Sequence, residues 1–265
     1  GPGELTTWVR PLAERLHQRA LPSTSLQLVL VPCPNATGTE ADVARRMNLF
    51  DRVLPASRFW WLLLRPQRHG PWPAAGVVVF LGGAQFWTVL LSARLGYRHL
   101  TYAEWVARWP RWNDRIAAMG PAAADRLAKR WQPRCQVVGD LMADLSSSAR
   151  SSAPLPSGEW VALLPGSKRA KLQVGMPFLL RCAEALRTLR PQTQFLLALA
   201  PTTTVAELQA FAGPSNPLQR FYGTQEPELI EQDGQRWLVS AGGARILLVE
   251  EHPAHGPLSQ CALAL

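Results

Sequence analysis

The chain has 265 residues, 47% hydrophobic and 18% charged, enough apolar material for one large core or two cores of ordinary domain size. Its longest apolar stretch, Val77 to Leu91, falls short of the roughly 20 residues that span a bilayer as a helix. Gly82, Gly83 and Gln85 also interrupt it, which excludes a membrane span there in favour of a strand, a turn and a helix. Net charge is +9, and it is unevenly placed: residues 1–150 hold 19 Lys+Arg against 10 Asp+Glu, whereas residues 151–265 balance at 9 against 9.

In chain order, Gly3-Glu4 leads into a helical pattern with Leu5, Trp8, Val9, Leu12 and Leu16 on one side, Thr6 or Thr7 as the cap and Pro11 as a kink. A strand is expected before this turn and is missing. A strand at Leu26–Val31 follows, then a loop through Pro34-Asn35, a helix near Glu40–Asn48, a short strand at Arg52–Leu54 and a helix at Ser57–Leu64. Val77–Leu81 is a β-branched strand ended by Gly82-Gly83, and the helix after it closes at Gly96. Tyr97–Tyr102 reads as a strand, Pro121–Trp131 as a helix and Cys135–Val138 as a strand before Gly139-Asp140.

Residues 146–158, rich in Ser, Pro and Ala, read as a linker between an N-terminal domain, 1–145, and a C-terminal one, 159–265. Beyond it come a strand at 160–164, helix 172–189, strand 194–199, helix 204–212 and strands 236–239 and 244–249. Strands alternating with helices, with nearly all-apolar cores, predict an α/β fold of two Rossmann-like domains with parallel sheets covered on both faces. Ligands of such sheets lie beyond the carboxyl ends of the strands.

Nine of the 11 tryptophans, Trp8, Trp60, Trp61, Trp72, Trp87, Trp105, Trp109, Trp112 and Trp131, fall in the basic half. Arg interleaved with indole suits an anionic membrane surface. The same composition serves RNA or single-stranded DNA by stacking, or simply a tryptophan-rich core under a basic surface. Cys33, Cys135, Cys182 and Cys261 form no CxxC pair and no disulfide framework, so a reducing, cytoplasmic setting is expected. The start at Gly1-Pro2-Gly3 and the apolar end Ala262–Leu265 read as cut ends, with Gly1-Pro2 alternatively a cloning scar.

The sharpest candidate site is the turn Pro165-Gly166-Ser167-Lys168-Arg169, where an apolar strand passes into a helix. A glycine and a small hydroxyl residue let the backbone approach a phosphate, and the helix N-terminus offers N–H donors with partial positive charge. The turn is neither a Walker loop nor a GxGxxG fingerprint, and a short basic Gly-Ser turn also occurs without any ligand. Gly82-Gly83 occupies an equivalent strand-to-helix turn in the first half, and Glu4 beside Gly3 sits on the same rim. Each also has a plain structural reading, as a tight turn and as a residue complementing a helix dipole. His252 and His255 are three apart, but Pro253 and Gly256 break any helix between them and no third ligand is evident, so no metal is expected. No serine or cysteine pairs with a base in any recognisable pattern.

The succession of Gly3-Glu4, Val137-Val138-Gly139-Asp140-Leu141-Met142-Ala143-Asp144 before the linker and Leu163-Leu164-Pro165-Gly166-Ser167-Lys168 after it resembles the lipid-A-disaccharide synthase family of glycosyltransferases. The resemblance implies a GT-B architecture, with the second domain truncated here. It also implies an inverting transfer from a UDP-sugar, which is a substrate, with no cofactor. By motif position Gly166, Ser167, Lys168 and Arg169 would lie near the donor diphosphate. Gly3, Glu4, Gly82 and Gly83 would face the cleft and acceptor, with Glu4 the candidate catalytic carboxylate. The implied partners are a nucleotide-sugar, a lipid acceptor and an anionic membrane surface, with the protein peripheral on the cytoplasmic side; nucleic acid is not expected. Two departures stand out. Gly82-Gly83-Ala84-Gln85-Phe86-Trp87 replaces an Asp-containing turn, and Lys171 or Leu172 stands where the family has an acidic residue. The later Gly-Thr turn of the donor site would lie beyond Leu265. The alternative is a catalytically inactive module that binds anionic lipid or nucleic acid.

Overall fold

A computed structural model of the chain describes residues 2–19, 24–34, 36–143, 154–250, 252 and 254–265. Asp144, the Ser146–Ala153 part of the expected linker, Asn35 and Pro253 lie outside the described residues. The chain divides into two compact units at Leu145–Ser146.

The N-terminal unit opens with α1 (Pro2–Glu4), a π-helical stretch at Leu5–Val9 and α2 (Arg10–Arg19). Because the helix starts before them, Thr6 and Thr7 do not cap it; their hydroxyls donate instead to the Gly3 carbonyl at 3.1 and 3.0 Å. The distortion expected from Pro11 appears one turn earlier as π geometry, with the Arg10 N–H reaching back to the Leu5 carbonyl. β1 (Gln27–Val29), α3 (Glu40–Arg46) and β2 (Arg52–Leu54) follow, the two strands pairing in parallel. After a 3₁₀ turn at Ala56–Arg58 comes α4 (Phe59–Leu64).

The remainder of this unit is a parallel four-stranded sheet: β3 (Val77–Phe80), α5 (Gln85–Leu95), β4 (Arg98–Ala103), β5 (Arg115–Ala118), α6 (Pro121–Asp125) and β6 (Cys135–Val137), in the order β3-β4-β5-β6. Leu54, Leu62 and Leu91 form a core against which Val29 and Val78 pack, so one apolar cluster joins the short sheet to the long one. β5 is not foreshadowed by the hydrophobic pattern. Its Ala117-Ala118 lacks β-branching, and only burial between β4 and β6 makes it a strand. The helix expected over Pro121–Trp131 stops at Asp125 and gives way to 3₁₀ turns at Lys129–Arg134, with Pro133 inside.

The C-terminal unit begins with β7 (Trp160–Leu163), α7 (Arg169–Leu189), β8 (Gln194–Ala198), α8 (Val205–Ala212) and α9 (Pro217–Tyr222). It continues with β9 (Glu228–Gln232), β10 (Gln235–Val239), β11 (Arg245–Val249), α10 (His255–Ser259) and β12 (Leu263–Ala264). Its six-stranded sheet runs β12-β7-β8-β11-β10-β9. Phe195, Leu197, Ile246 and Leu248 pack under α7 and α8, while Leu196, Leu247 and Trp160 face the other way, so both faces are buried and the strands read as unbroken apolar runs. Leu155 packs on that second face and its N–H donates to Gln260 at 2.8 Å, which attaches the described end of the expected linker to this unit.

The expectation of parallel strands fails at one edge: β10 runs antiparallel to both β9 and β11. Residues 240–244 are too few for a parallel crossover, which takes about a dozen residues, and the Ser240 N–H closes a tight turn on the Ala244 carbonyl at 2.9 Å. β9 and β10 meet through Asp233-Gly234, both at positive φ, the two-residue turn that matches strand twist. Among the described residues no helix is long and apolar enough to cross a membrane.

Candidate functional site

β7 is buried at all four positions and delivers the chain to Pro165, also buried, before the turn emerges. Gly166 adopts φ +90, so the backbone reverses where a side chain would be strained. Lys168 is the N-cap of α7, extended at φ −96, ψ 138, and no side chain caps the helix. The helix begins three residues earlier than its hydrophobic period indicates, placing Arg169 in its first turn.

That first turn has no acidic residue. Helix starts normally favour Ser, Thr, Asp or Asn at the cap and carboxylates behind it, because the helix dipole is positive there. Here Lys168, Arg169 and Lys171 crowd the positive end instead. Lys171, singled out in the sequence only as a departure from an acidic position, lays its stem on Gly166: a Cβ on that glycine would lie 3.0 Å from the Lys171 Cβ. Arg169 is engaged elsewhere, with its guanidinium 3.2 Å from a Glu207 carboxylate oxygen and 5.2 Å from the Phe211 ring centre. The turn is pressed onto its own helix at Gly175, where an added Cβ would sit 2.9 Å from the Pro165 carbonyl oxygen.

A second site lies wholly within the N-terminal unit. Leu28–Val31 at the end of β1 and just beyond it, Pro55–Ser57 after β2 and Leu81–Gly83 after β3 surround a pocket of about 250 Å³, floored by Leu5 and Val9 and reached by Glu4. Three carboxyl ends of parallel strands thus converge, as the sheet rule requires. Glu4, Gly82 and Gly83 are brought together. A Cβ on Gly82 would come within 2.9 Å of the Glu4 Cγ, and Gly82 holds φ +151. Gly3 does not line the pocket; its carbonyl receives the two threonine hydroxyls.

Two further polar groups line the pocket that the sequence pattern does not assign. Glu40 is 7% exposed, and its carboxylate accepts from the Thr37 N–H at 2.6 Å, the Thr37 hydroxyl at 3.1 Å and the Gly38 N–H at 2.9 Å. It therefore anchors the loop before α3, at whose first position it stands, directly after the N-cap Thr39. Thr88 donates its hydroxyl to the Gln85 carbonyl at 2.8 Å and so accepts from His99 Nε2 at 2.9 Å.

His99 is buried, and that burial lowers its pKa below the ordinary 6.5; the Asn113 side chain and the Asp114 carboxylate oppose the shift only in part. Its Nδ1 makes no hydrogen bond of good geometry. Below pH 6.5 the unfolded chain takes up a proton here that the folded chain refuses, so this contribution to stability is full above 6.5 and declines as pH falls towards the folded-state value. His99→Gln keeps a donor for Thr88 and removes the titration. In urea melts at pH 7.5 and pH 5, wild type is expected to lose more stability on acidification than the variant, and equal losses would count against this account.

Among the described residues no three His, Cys, Asp or Glu side chains cluster as they would around a metal ion. No family model matches the chain. A lipid-A-disaccharide synthase of Alteromonas mediterranea is 31% identical over 109 residues, 36% of this chain and 28% of that protein. Another, from Anaeromyxobacter dehalogenans, is 34% identical over 73 residues, 27% of this chain and 19% of that protein. The chain resembles the lipid-A-disaccharide synthases. The matches span less than a third of the length of these curated relatives.

Among solved structures, the S. aureus MnaA–UDP co-structure aligns with all of this synthase-like chain and 70% of its own, at TM-score 0.62 and 11% identity. A UDP-GlcNAc 2-epimerase from Neisseria meningitidis, bound to UDP-GlcNAc, aligns with 99% of this chain and 74% of its own, at TM-score 0.56 and 9% identity. At such identities the likeness is one of fold, and that fold is the α/β GT-B class.

Proposed function

We propose that the chain belongs to a glycosyltransferase that moves a sugar from a UDP-sugar to a lipid or other membrane-borne acceptor, working peripherally at the cytoplasmic face of a membrane. The observation that carries the reading is the cation cluster at the positive end of α7, an arrangement that opposes the helix dipole unless an anion lies there. The resemblance to lipid-A-disaccharide synthases supports the acceptor class. UDP and UDP-GlcNAc in the structural neighbours support the donor class.

In this reading the N–H groups of Gly166 and Ser167, with Lys168 and Lys171, hold the donor diphosphate, and Arg169 braces the helix against α8. The pocket of the N-terminal unit takes the acceptor. The acceptor oxygen attacks the anomeric carbon, the bond from that carbon to the diphosphate oxygen breaks, and the acceptor proton passes to a carboxylate. Negative charge grows on the departing UDP, where preorganised N–H groups and ammonium groups stabilise it. Glu4 is the candidate base, because it reaches the pocket beside Gly82 at the end of β3. UDP is expected to raise the melting temperature: a ligand at about 100 times its Kd adds ~2.7 kcal/mol of stability. Lys168→Ala should need at least several-fold more UDP for the same shift. No shift with millimolar UDP, or an unchanged dose response in the variant, would overturn the assignment.

A further inference from the structure

The pocket of the N-terminal unit has a charge that its surroundings do not foretell. Residues 1–150 hold 19 Lys+Arg against 10 Asp+Glu, yet none of the residues that line the pocket is a lysine, arginine or histidine, and two are carboxylates, Glu4 and Glu40. Glu40 has a fixed place. Its Oε1 accepts from the Thr37 N–H and hydroxyl and its Oε2 from the Gly38 N–H at 2.9 Å, and a carboxylate oxygen with one donor has room for a second. Two helices begin at the edge of the pocket, α5 just beyond Gly83 and α3 at Glu40 itself. Each such end amounts to about half a positive charge, so together they offset roughly one carboxylate of the two, and the pocket stays negative.

The rest of the lining is mostly aliphatic, with Leu28, Val29, Leu30, Val31, Val79 and Leu81 forming much of it and no aromatic ring among the lining residues. A quaternary ammonium, which aromatic cages recognise, therefore finds no partner here. A primary ammonium does, because it brings three N–H donors to oxygen acceptors. Thr88 adds to the bias: its hydroxyl proton goes to the Gln85 carbonyl and one lone pair takes the His99 Nε2 proton, so a lone pair is all it has left to offer. The volume of about 250 Å³ falls below the ~300–1,000 Å³ of pockets that enclose a whole drug-sized ligand, so this one takes an end of a longer molecule.

We propose that this pocket selects a primary amine carried on an aliphatic chain and turns anionic groups away. The ammonium answers the carboxylates, and the chain lies against the aliphatic wall. Exclusion of water sharpens the choice, because charges act more strongly on one another where the dielectric is low. An entering anion would lose its hydration and meet two carboxylates with no cationic side chain to neutralise it, so desolvation and repulsion both oppose it. The inference rests on the transfer reading above only for calling the ligand an acceptor. In that reading the acceptor is an amino alcohol on an aliphatic chain, its hydroxyl going to Glu4 and its ammonium to Glu40.

The test is titration calorimetry of the full chain at pH 7 with octylamine, octan-1-ol and octanoate, probes of one chain length and three head charges. The chain's net charge of +9 favours octanoate everywhere else on the molecule, so a preference for the amine has to come from a local site. Octylamine is expected to bind tighter than octanoate by about tenfold or more, with octanol between them. Glu4→Gln should narrow that ratio several-fold while octanol binding is kept, and Glu40→Gln should do the same if circular dichroism shows it folded. Ala56→Trp, which puts a ring into the pocket, should weaken all three probes. Octanoate bound as tightly as octylamine, a ratio unmoved by Glu4→Gln, undiminished binding by the tryptophan variant, or no binding of millimolar octylamine would overturn the proposal. UDP is absent from these titrations, so loss of the amine preference beside an intact UDP response removes this inference alone, and the opposite result removes the transfer reading alone.

Discussion

Gly175→Val is expected to destabilise the C-terminal unit by about 3 kcal/mol and to abolish UDP binding, although glycine is among the poorest helix formers. The new Cβ would lie 2.9 Å from the Pro165 carbonyl oxygen and 3.0 Å from its Cα, both backbone atoms that move only if the whole turn moves. Pro165 is buried and heads the segment that presents Gly166 and Lys168, so relief of the clash displaces the proposed diphosphate cradle. Gly175→Ala gives the graded case: overpacking of ~1–3 kcal/mol opposes a helix-propensity gain of ~1 kcal/mol. Urea melts of the three proteins, with UDP titrations, decide the matter. Stability equal to wild type in the valine variant would mean that the turn yields, and that its shape is not set by the helix beneath it.

Gly82→Val is expected to act on the other unit. Its φ of +151 lies where a β-branched residue is strained by ~1–3 kcal/mol. The added side chain would also meet Glu4 Cγ at 2.9 Å and Cβ at 3.0 Å. Rotation of the side chain can move the Glu4 Cγ but not its Cβ, so the backbone at Glu4 must also give by a few tenths of an ångström; the fold should survive with lowered stability while the carboxylate leaves its place in the pocket. Sugar transfer should fall at least as far as it does in Glu4→Gln. UDP binding should stay unchanged, because the proposed donor residues are in the C-terminal unit. A valine variant with wild-type turnover would remove Glu4 and Gly82 from the site.

Legibility in the sequence follows burial. β7, β8 and β11 are buried over most or all of their length, so they stand out as apolar runs in the sequence itself. β9 does not, because Glu228, Glu231 and Gln232 interrupt its pattern and only pairing with β10 makes it a strand; the Asp233-Gly234 turn is the one local clue. The Pro165–Lys168 turn is visible because an unbroken apolar run gives way there to a helical period of 3.6. The partner of Arg169 is not, since Glu207 lies 38 residues further on and no local pattern joins them. Glu4 and Gly82 are each readable as a rim residue, but their contact is not, because it depends on how the first helix crosses the end of β3.

The outermost strand β9 has a bearing on behaviour at high concentration. An open sheet margin offers amide groups to any passing strand, and natural proteins guard such margins with charge. Glu228 and Glu231 stand exposed along this one. Two molecules aligning there would set carboxylate near carboxylate, so ribbon-like self-association should be resisted, and Glu228→Gln with Glu231→Gln should let it set in at lower protein concentration, as light scattering would show.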